Sequence, residues 1–302
     1  MKIDVHAHFL PAGYRAELVQ TGHGHPDGMP WLPEWSADEH IAVMDRLGIA
    51  RSLLSISSPG VCLGEQTDLV ALAREVNEDG RRAVVDHPDR FGLLASLPLP
   101  DTEAALSEIA HCCEHFDADG FVVLTNTAGT YVSDPSFEPV FREISRRGVP
   151  VLLHPASPAC WEHTSFSRPR PMLEFLFDTT RTVVDLVLNG VLTRNPELRL
   201  IVPHAGATLP LVAERVCTFA RILAPEVDVP SELGRLHYDL AGHTTRPALD
   251  ALLAITSIDH LHYGSDYCFT PEPVAAAAAA ALDDQLVVQL RTNTEQLFAS
   301  RF

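Results

Sequence analysis

Short apolar runs alternate with longer amphipathic stretches along the whole chain. The runs fall at Lys2 to Val5, Arg51 to Ser57, Phe91 to Leu97, Gly120 to Thr125, Pro150 to His154, Leu198 to His204, Leu236 to Leu240 and His260 to Gly264. Most are apolar throughout rather than at every second position, the pattern of parallel strands covered on both faces. The stretches between them carry helical spacing and helix punctuation. Ser36 caps a helix reaching Leu47, with Glu39 three residues on and Gly48 after it. Thr67 to Val85, Asp101 to His115, Ser136 to Arg147, Met172 to Leu192, Thr208 to Leu223 and Pro247 to Ile255 read as further helices. The alanine run Ala275 to Ala281 makes the remainder helical as well.

Eight strands, each followed by a helix, over 302 residues predict a (β/α)8 TIM barrel, an α/β fold. No composition shift or linker breaks the series, so a single barrel domain over 1–302 is expected. Two segments lack any period: 9–35, rich in Pro, Gly, His and Trp, and 156–171. Each directly follows a strand ending in histidine, and both read as active-site loops.

Composition narrows the function. The formal net charge of -18 argues against nucleic acid and against an anionic membrane surface. No apolar run suits a membrane span, and an N-terminus that enters a charged strand at once carries no secretory signal. The six cysteines show no CxxC spacing and read as reduced thiols of a cytoplasmic protein. Lys2 is the only lysine, and it lies at the start of the first strand, the wrong end for chemistry. Schiff-base chemistry and a carbamate-bridged metal pair are thereby excluded.

The candidate chemistry sits at strand ends, where barrels of this class place their active sites. The first strand closes in His6-Ala7-His8, whose imidazoles project from one face because strand side chains repeat every second residue. The fifth ends in His154, the sixth in His204, and the eighth runs into Asp266. Two imidazoles from the first strand, a third from the fifth and a carboxylate after the eighth form a mixed nitrogen and oxygen set. Such a set suits one Zn²⁺, with Mn²⁺, Fe²⁺ or Co²⁺ as alternatives. His204 is then left to act as acid or base. His23 and His25 lie in the first loop and read as solvated side chains.

The motifs Asp-Val-His-Ala-His, Leu-Leu-His-Pro, Ile-Val-Pro-His-Ala-Gly and Tyr-Gly-Ser-Asp-Tyr resemble those of the amidohydrolase superfamily. They fit best its aminocarboxymuconate-semialdehyde decarboxylase-like branch. The likeness runs through Met44 to Ile49, Arg90 to Gly92, Asn195 to Leu198 and Tyr238-Asp239. The stretches Ser55 to Val61 and Asp178 to Arg181 are similar to the 6-methylsalicylate decarboxylases. The resemblance implies His6, His8, His154 and Asp266 as metal ligands, His204 as a catalytic histidine, and a homodimer. The semialdehyde decarboxylases hold the substrate carboxylate with an arginine of the first loop. Here that loop carries only Arg15, near its start, and a second family arginine falls near Arg221 without aligning to it.

The leading expectation is therefore metal-dependent, non-oxidative decarboxylation of a small aromatic or unsaturated carboxylic acid of salicylate type. Asp266 or His204 would deliver the proton. The same ligands would also serve a hydrolase of a lactone, amide or ester by activating water, and a hydratase is a third reading. A non-catalytic binding protein on a decayed barrel would have lost a ligand position, whereas all five expected positions are filled. Arg181, His243 and Trp161 are candidate substrate contacts. Arg181 has a structural alternative in an ion pair with Asp185, one turn on.

Overall fold

The computed structural model describes residues 1–242 and 244–299. Among the described residues ten strands form: β1 (Lys2–His8), β2 (Ile49–Ser55), β3 (Phe91–Ser96), β4 (Gly120–Leu124), β5 (Asn126–Thr127), β6 (Thr130–Tyr131), β7 (Pro150–His154), β8 (Arg199–Val202), β9 (His237–Asp239) and β10 (Leu261–His262). β5 and β6 are a small antiparallel hairpin. The other eight pair in parallel in the order β1-β2-β3-β4-β7-β8-β9-β10. A bridge between Asp4 and Tyr263, with Val5 N–H donating to the Tyr263 carbonyl at 2.9 Å, joins the last strand back to the first. The result is the expected TIM barrel, with helices between successive strands.

Two apolar layers hold it. One cluster takes Val5, Leu53, Leu94, Val122, Leu152 and Ile201, one residue from each of six strands, and adds Leu297 and Phe298 from the end of the chain's last helix, Asp284–Leu297. The larger cluster packs the outer faces of the strands against the helices. The helix starts follow the sequence signals. The Ser36 hydroxyl accepts from Glu39 N–H at 3.2 Å, and the carboxylates of Asp68 and Asp101 accept from the amides of Ala71 and Ala104. Gly48 closes the helix Ala37–Leu47 at φ 67°.

Four expectations are corrected. The first loop is not wholly irregular: Ala12–Gln20 is a helix whose buried residues are Tyr14 and Leu18 alone, too sparse an apolar face to register as a period. The second loop contains one helical turn, Trp161–Thr164. The long helix expected over Met172 to Leu192 is interrupted, running Glu174–Leu188 and resuming as Val191–Arg194 after Gly190 at φ 69°. The segment after Asp101 changes pitch, with Thr102–His111 α-helical and Cys112–Phe116 a π-turn. Among the described residues no helix is long and apolar enough to cross a membrane.

Candidate metal centre

The ends of β1 and β10 are laced together by backbone and side-chain bonds, and this lacing builds the site. Asp4 Oδ1 accepts from the amides of His6 at 3.1 Å and Ser265 at 3.0 Å, while Asp266 N–H donates to the His6 carbonyl at 2.8 Å. His6 and His8 leave β1 on the same face, and Asp266 is thereby carried across to them. β7 contributes His154 from its last position. One ligand atom from each of His6, His8, His154 and Asp266 lies within 4.8 Å of the others. The ring centroids of His6, His8 and His154 are 4.8 to 5.2 Å apart.

Each imidazole is oriented by a contact at Nδ1. His6 Nδ1 lies 2.9 Å from Asp239 Oδ2, His8 Nδ1 lies 3.3 Å from the Ser55 carbonyl, and His154 Nδ1 lies 2.8 Å from the Pro155 carbonyl. Nε2 of each ring is left to face the cluster, the arrangement that metal-bound histidines adopt. His6 Nε2 is fully buried and makes no hydrogen bond, which a cation among these four residues would remedy. Three imidazoles and one carboxylate, all inward-facing, fit a single divalent ion.

The electrostatics agree. Burial alone would depress His6, but Asp239, by charge and hydrogen bond, outweighs it and raises the imidazole to about 9. That places cation-favouring negative potential on the ring that carries the orphaned nitrogen. Burial keeps His154 neutral, well below the usual histidine range, with His8 and His6 adding to the effect. His8 is lowered as well, chiefly by burial. Burial would raise Asp266, yet the imidazoles of His204, His8 and His6 around it hold its carboxyl well below the usual carboxylate range.

His204 follows β8 and stands 4.0 Å from Asp266 Oδ2, too far for a hydrogen bond but close enough to share a reacting group. Its backbone N–H donates to Asp239 Oδ1 at 3.1 Å. Thr270 donates its hydroxyl to Asp266 Oδ2 at 2.9 Å. His204 and Asp266 both adopt left-handed backbone, with φ of 55° and 56°. Such conformations persist where surrounding contacts enforce them, commonly at functional sites.

A cavity of about 610 Å³ opens over His154, His204 and Asp266. Met29, Trp31, Met172, Phe175 and Phe269 give it largely apolar walls, and Asp27, Ser57 and Ser58 add a polar corner. Among the described residues no arginine or lysine lines it. Arg15 donates to the Pro33 carbonyl at 3.1 Å, and Lys2 to the Leu47 carbonyl at 2.8 Å.

The candidate substrate contacts fare differently from the ligands. Arg181 lies off the cavity. It reaches Asp178 at 3.0 Å and the Tyr131 hydroxyl at 3.1 Å, whereas Asp185 accepts instead from Ser133. The expected Arg181–Asp185 pair is therefore replaced by a pair one turn back. Trp161 stacks under Arg170, at 4.2 Å from guanidinium to ring centroid, and lines a smaller neighbouring cavity instead. His243 lies outside the described residues. His23 and His25 bond locally, to Thr21 and to the Met29 carbonyl. Cys268 is buried, and that burial pushes its thiol up to about 12.

The sequence places Asp239 near the end of the seventh strand and Ser58 within the stretch Ser55 to Val61 without assigning either a role, and it gives Asp27 none. Asp239 ends β9, so its position at a strand terminus was a usable signal. Asp27 and Ser58 lie in loop segments where sequence carries no register.

The profile of the family described as Amidohydrolase matches residues 3–297. A 6-methylsalicylic acid decarboxylase of Aspergillus aculeatus is 30% identical over 318 residues, covering 99% of this chain and 96% of its own. A solved amidohydrolase II structure superposes with a TM-score of 0.93 at 32% identity, covering 99% of this chain and 100% of its own. A dihydroxybenzoic acid decarboxylase from Polaromonas sp. JS666, solved with bound manganese and 2-nitroresorcinol, shares the fold. Its TM-score is 0.84 at 21% identity, covering 99% of this chain and 96% of its own.

Proposed function

The chain belongs to the amidohydrolase family, and from that premise we propose that it is a metal-dependent, non-oxidative decarboxylase of a small aromatic carboxylic acid with an ortho hydroxyl group. One observation carries the reading: the four-residue ligand cluster borders an apolar cavity that no arginine or lysine lines among the described residues. A carboxylate entering that cavity finds its positive partner only at the cluster. The decarboxylase activity of the Aspergillus aculeatus relative supports the same reading.

His6, His8, His154 and Asp266 would hold the ion. Zn²⁺ suits the mixed donor set, and Mn²⁺, present in the Polaromonas neighbour, is the alternative. When bound, the ion supplies a chelation point for the carboxylate and phenolic oxygens and neutralises charge there. The protein does the rest. Asp239, Ser55 and Pro155 fix the imidazole orientations. The walls formed by Phe175, Phe269 and Met172 flank the ring and exclude water. The pair Asp266 and His204 delivers a proton to the ring carbon bearing the carboxylate, with Thr270 holding the Asp266 carboxylate in place. Loss of CO2 then leaves the bonding electrons in the ring and restores aromaticity, and solvent reprotonates the pair.

A hydrolase would use the same pair to deprotonate water, but the apolar cavity favours a flat ring over a hydrated, polar scissile group. The surface supports a homodimer: Leu211, Ile222 and Leu223 of the helix Leu209–Leu223 are 79%, 73% and 75% exposed. Among the described residues no cysteine forms a disulfide, which supports a reducing, cytoplasmic setting.

The test is product analysis with Zn²⁺- and Mn²⁺-loaded protein on salicylate, 6-methylsalicylate, dihydroxybenzoates and several lactones. Release of CO2 that is lost in His6→Ala and Asp266→Ala is the expected result. Water added across a lactone without any CO2 would move the protein to the hydrolases.

A further inference from the structure

The polar corner of the cavity is unlike the rest of its wall. Asp27 is 9% exposed and stands in an irregular turn of the first loop, at φ 51°. Its Oδ1 accepts from the Ser157 hydroxyl at 2.5 Å, and Ser157 Oγ in turn accepts from Arg170 Nε at 3.0 Å. Beside Asp27 stands Ser58, 3% exposed, whose buried hydroxyl acts on the Asp27 carboxyl but makes no hydrogen bond of ordinary length and angle among the described residues. Both residues line the catalytic cavity, and both also border the neighbouring 330 Å³ cavity.

A buried carboxylate and a buried hydroxyl with no well-formed bond between them keep hydrogen-bonding capacity that a further partner completes. Burial raises the Asp27 carboxyl, while Ser157, Ser58, Arg170 and His23 oppose that shift. The metal cluster and this corner share one cavity, so a ligand chelated at the first can present its far edge to the second. A hydrogen-bond donor satisfies the corner. A second carboxylate does not, because it meets the Asp27 carboxylate, while the neighbouring Arg170 is engaged by Ser157 and Trp161 and does not line the described wall.

We propose that Asp27 and Ser58 are specificity-determining residues, which select substrates carrying a neutral hydrogen-bond donor on the ring, beyond the chelating pair, and reject those carrying a second carboxylate. The assignment rests on the decarboxylase reading for its substrate class. The Asp27–Ser157 contact alone would explain a latch between the first and second loops, but it gives Ser58 no role.

The experiment has a kinetic arm and a binding arm. In the first, kcat/KM for CO2 release is compared for 6-methylsalicylate, three dihydroxybenzoates with an ortho hydroxyl, and 4-hydroxyisophthalate, in the metal-loaded wild type, Asp27→Asn and Ser58→Ala. A charge-assisted hydrogen bond sets the scale of discrimination, so at least one dihydroxybenzoate is expected to exceed 6-methylsalicylate by about 10-fold or more. In Asp27→Asn that ratio falls to within about threefold, and the discrimination against the dicarboxylate weakens. Ser58→Ala, which leaves the loop contact to Ser157 intact, lowers the ratio in the same direction. In the second arm calorimetry compares resorcinol with m-cresol, neither of which can lose CO2. Tighter resorcinol binding that disappears in Asp27→Asn sustains the assignment even where no acid is decarboxylated, an outcome that would fell only the decarboxylase reading. Equal scaling of all substrates in Asp27→Asn, or no preference for a donor in the wild type, would overturn the assignment and leave Asp27 a loop latch.

Discussion

Asp239 Oδ2 and His6 Nδ1 are 2.9 Å apart, and both side chains are fully buried. The contact joins the end of β9 to the end of β1, and it aims the one imidazole nitrogen in the cluster that is buried without a hydrogen bond. Asp239 also accepts from the amides of His204 and Ala241, so a single carboxylate sets the direction of a ligand and the backbone position of the proposed acid. Replacing Asp239 with Asn keeps the shape but removes the charge. Loss of such a supporting group typically weakens metal affinity by about 10- to 100-fold. Metal titration monitored by bound-ion content is expected to show that loss in Asp239→Asn, with activity partly restored by excess metal. Unchanged affinity would mean that Asp239 acts only on the backbone of His204.

His204 and the ligands are expected to separate experimentally. His204→Asn retains metal, because His204 is not among the four clustered donors, yet it lowers kcat by about 100-fold or more, the usual range for a lost proton donor. His154→Ala loses metal and activity together. Parallel measurement of bound ion and turnover checks both. A His204 variant that sheds the ion along with activity would assign that residue to the ligand set.

The barrel and the gathering of four polar residues at one end of it were legible because both depend on the shortest-range rules. Continuous apolar runs mark covered parallel strands, and a histidine at a strand's last position has only one end of the barrel to face. His6, His8 and His154 could therefore be placed together without any knowledge of loops, and Asp266, just past β10, by its nearness to that strand's end. Arg181 shows where that logic ends. Helical spacing allowed a partner at either neighbouring turn, and Asp178 prevails over Asp185. Asp178 is fixed in the wall by the hydroxyls of Thr125 and Tyr131 and the amide of Asn126, contacts across more than 45 residues of chain. Asp27 was illegible for a related reason: its partners Ser157 and Ser58 come from two other segments, and only the closed barrel brings the three together.

Metal binding is expected to be visible in stability. The four ligand residues are gathered only in the folded chain, so an ion bound there adds about 2.7 kcal/mol when present at a hundred times its Kd. Thermal unfolding followed with and without chelator should show a lower Tm after chelation. The difference should vanish in His6→Ala. A chelator effect that persists in that variant would place the responsible ion elsewhere.

Acid should unfold the protein partly through Glu108, which anchors a buried polar group between a helix and the barrel. Asn77, on the helix Leu69–Asp86, donates to the Ser96 carbonyl at 2.9 Å and to Glu108 Oε1 at 2.8 Å, and it accepts from the Ser96 amide at 2.8 Å. Arg74 adds a 2.7 Å contact to Glu108 Oε2. Burial would raise the Glu108 carboxyl, but Arg74, Asn77 and Cys112 together hold it below its ordinary value of 4.5. A folded-state value below the unfolded one means that the unfolded chain binds the proton more readily. The stabilisation is therefore fully present above 4.5 and is lost as pH falls through the lower, folded value. Urea midpoints from neutral to acid pH are expected to fall more steeply below 4.5 in the wild type than in Glu108→Gln, which has no proton to gain. Asn77→Ala should cost about 3 kcal/mol at neutral pH, since it strands buried groups on both β3 and Glu108. Parallel pH curves for wild type and Glu108→Gln would remove Glu108 from the acid response.

A close backbone approach at a glycine of the barrel makes the last prediction. At Gly120, the first residue of β4, an added Cβ would lie 2.3 Å from the Pro150 carbonyl oxygen of β7. That oxygen belongs to the backbone of a neighbouring strand and cannot rotate away as a side chain would. Its strand ends four residues later in His154, so moving Pro150 to admit a methyl group also moves a proposed metal ligand. Gly120→Ala is expected to lower stability by about 1–3 kcal/mol through overpacking. It should also weaken metal binding, although residue 120 lies at the opposite end of its strand from the site. Unfolding and metal titration on the same variant separate the two effects. A stability loss with undiminished affinity would show that β7 yields near Pro150 without carrying the strain to His154.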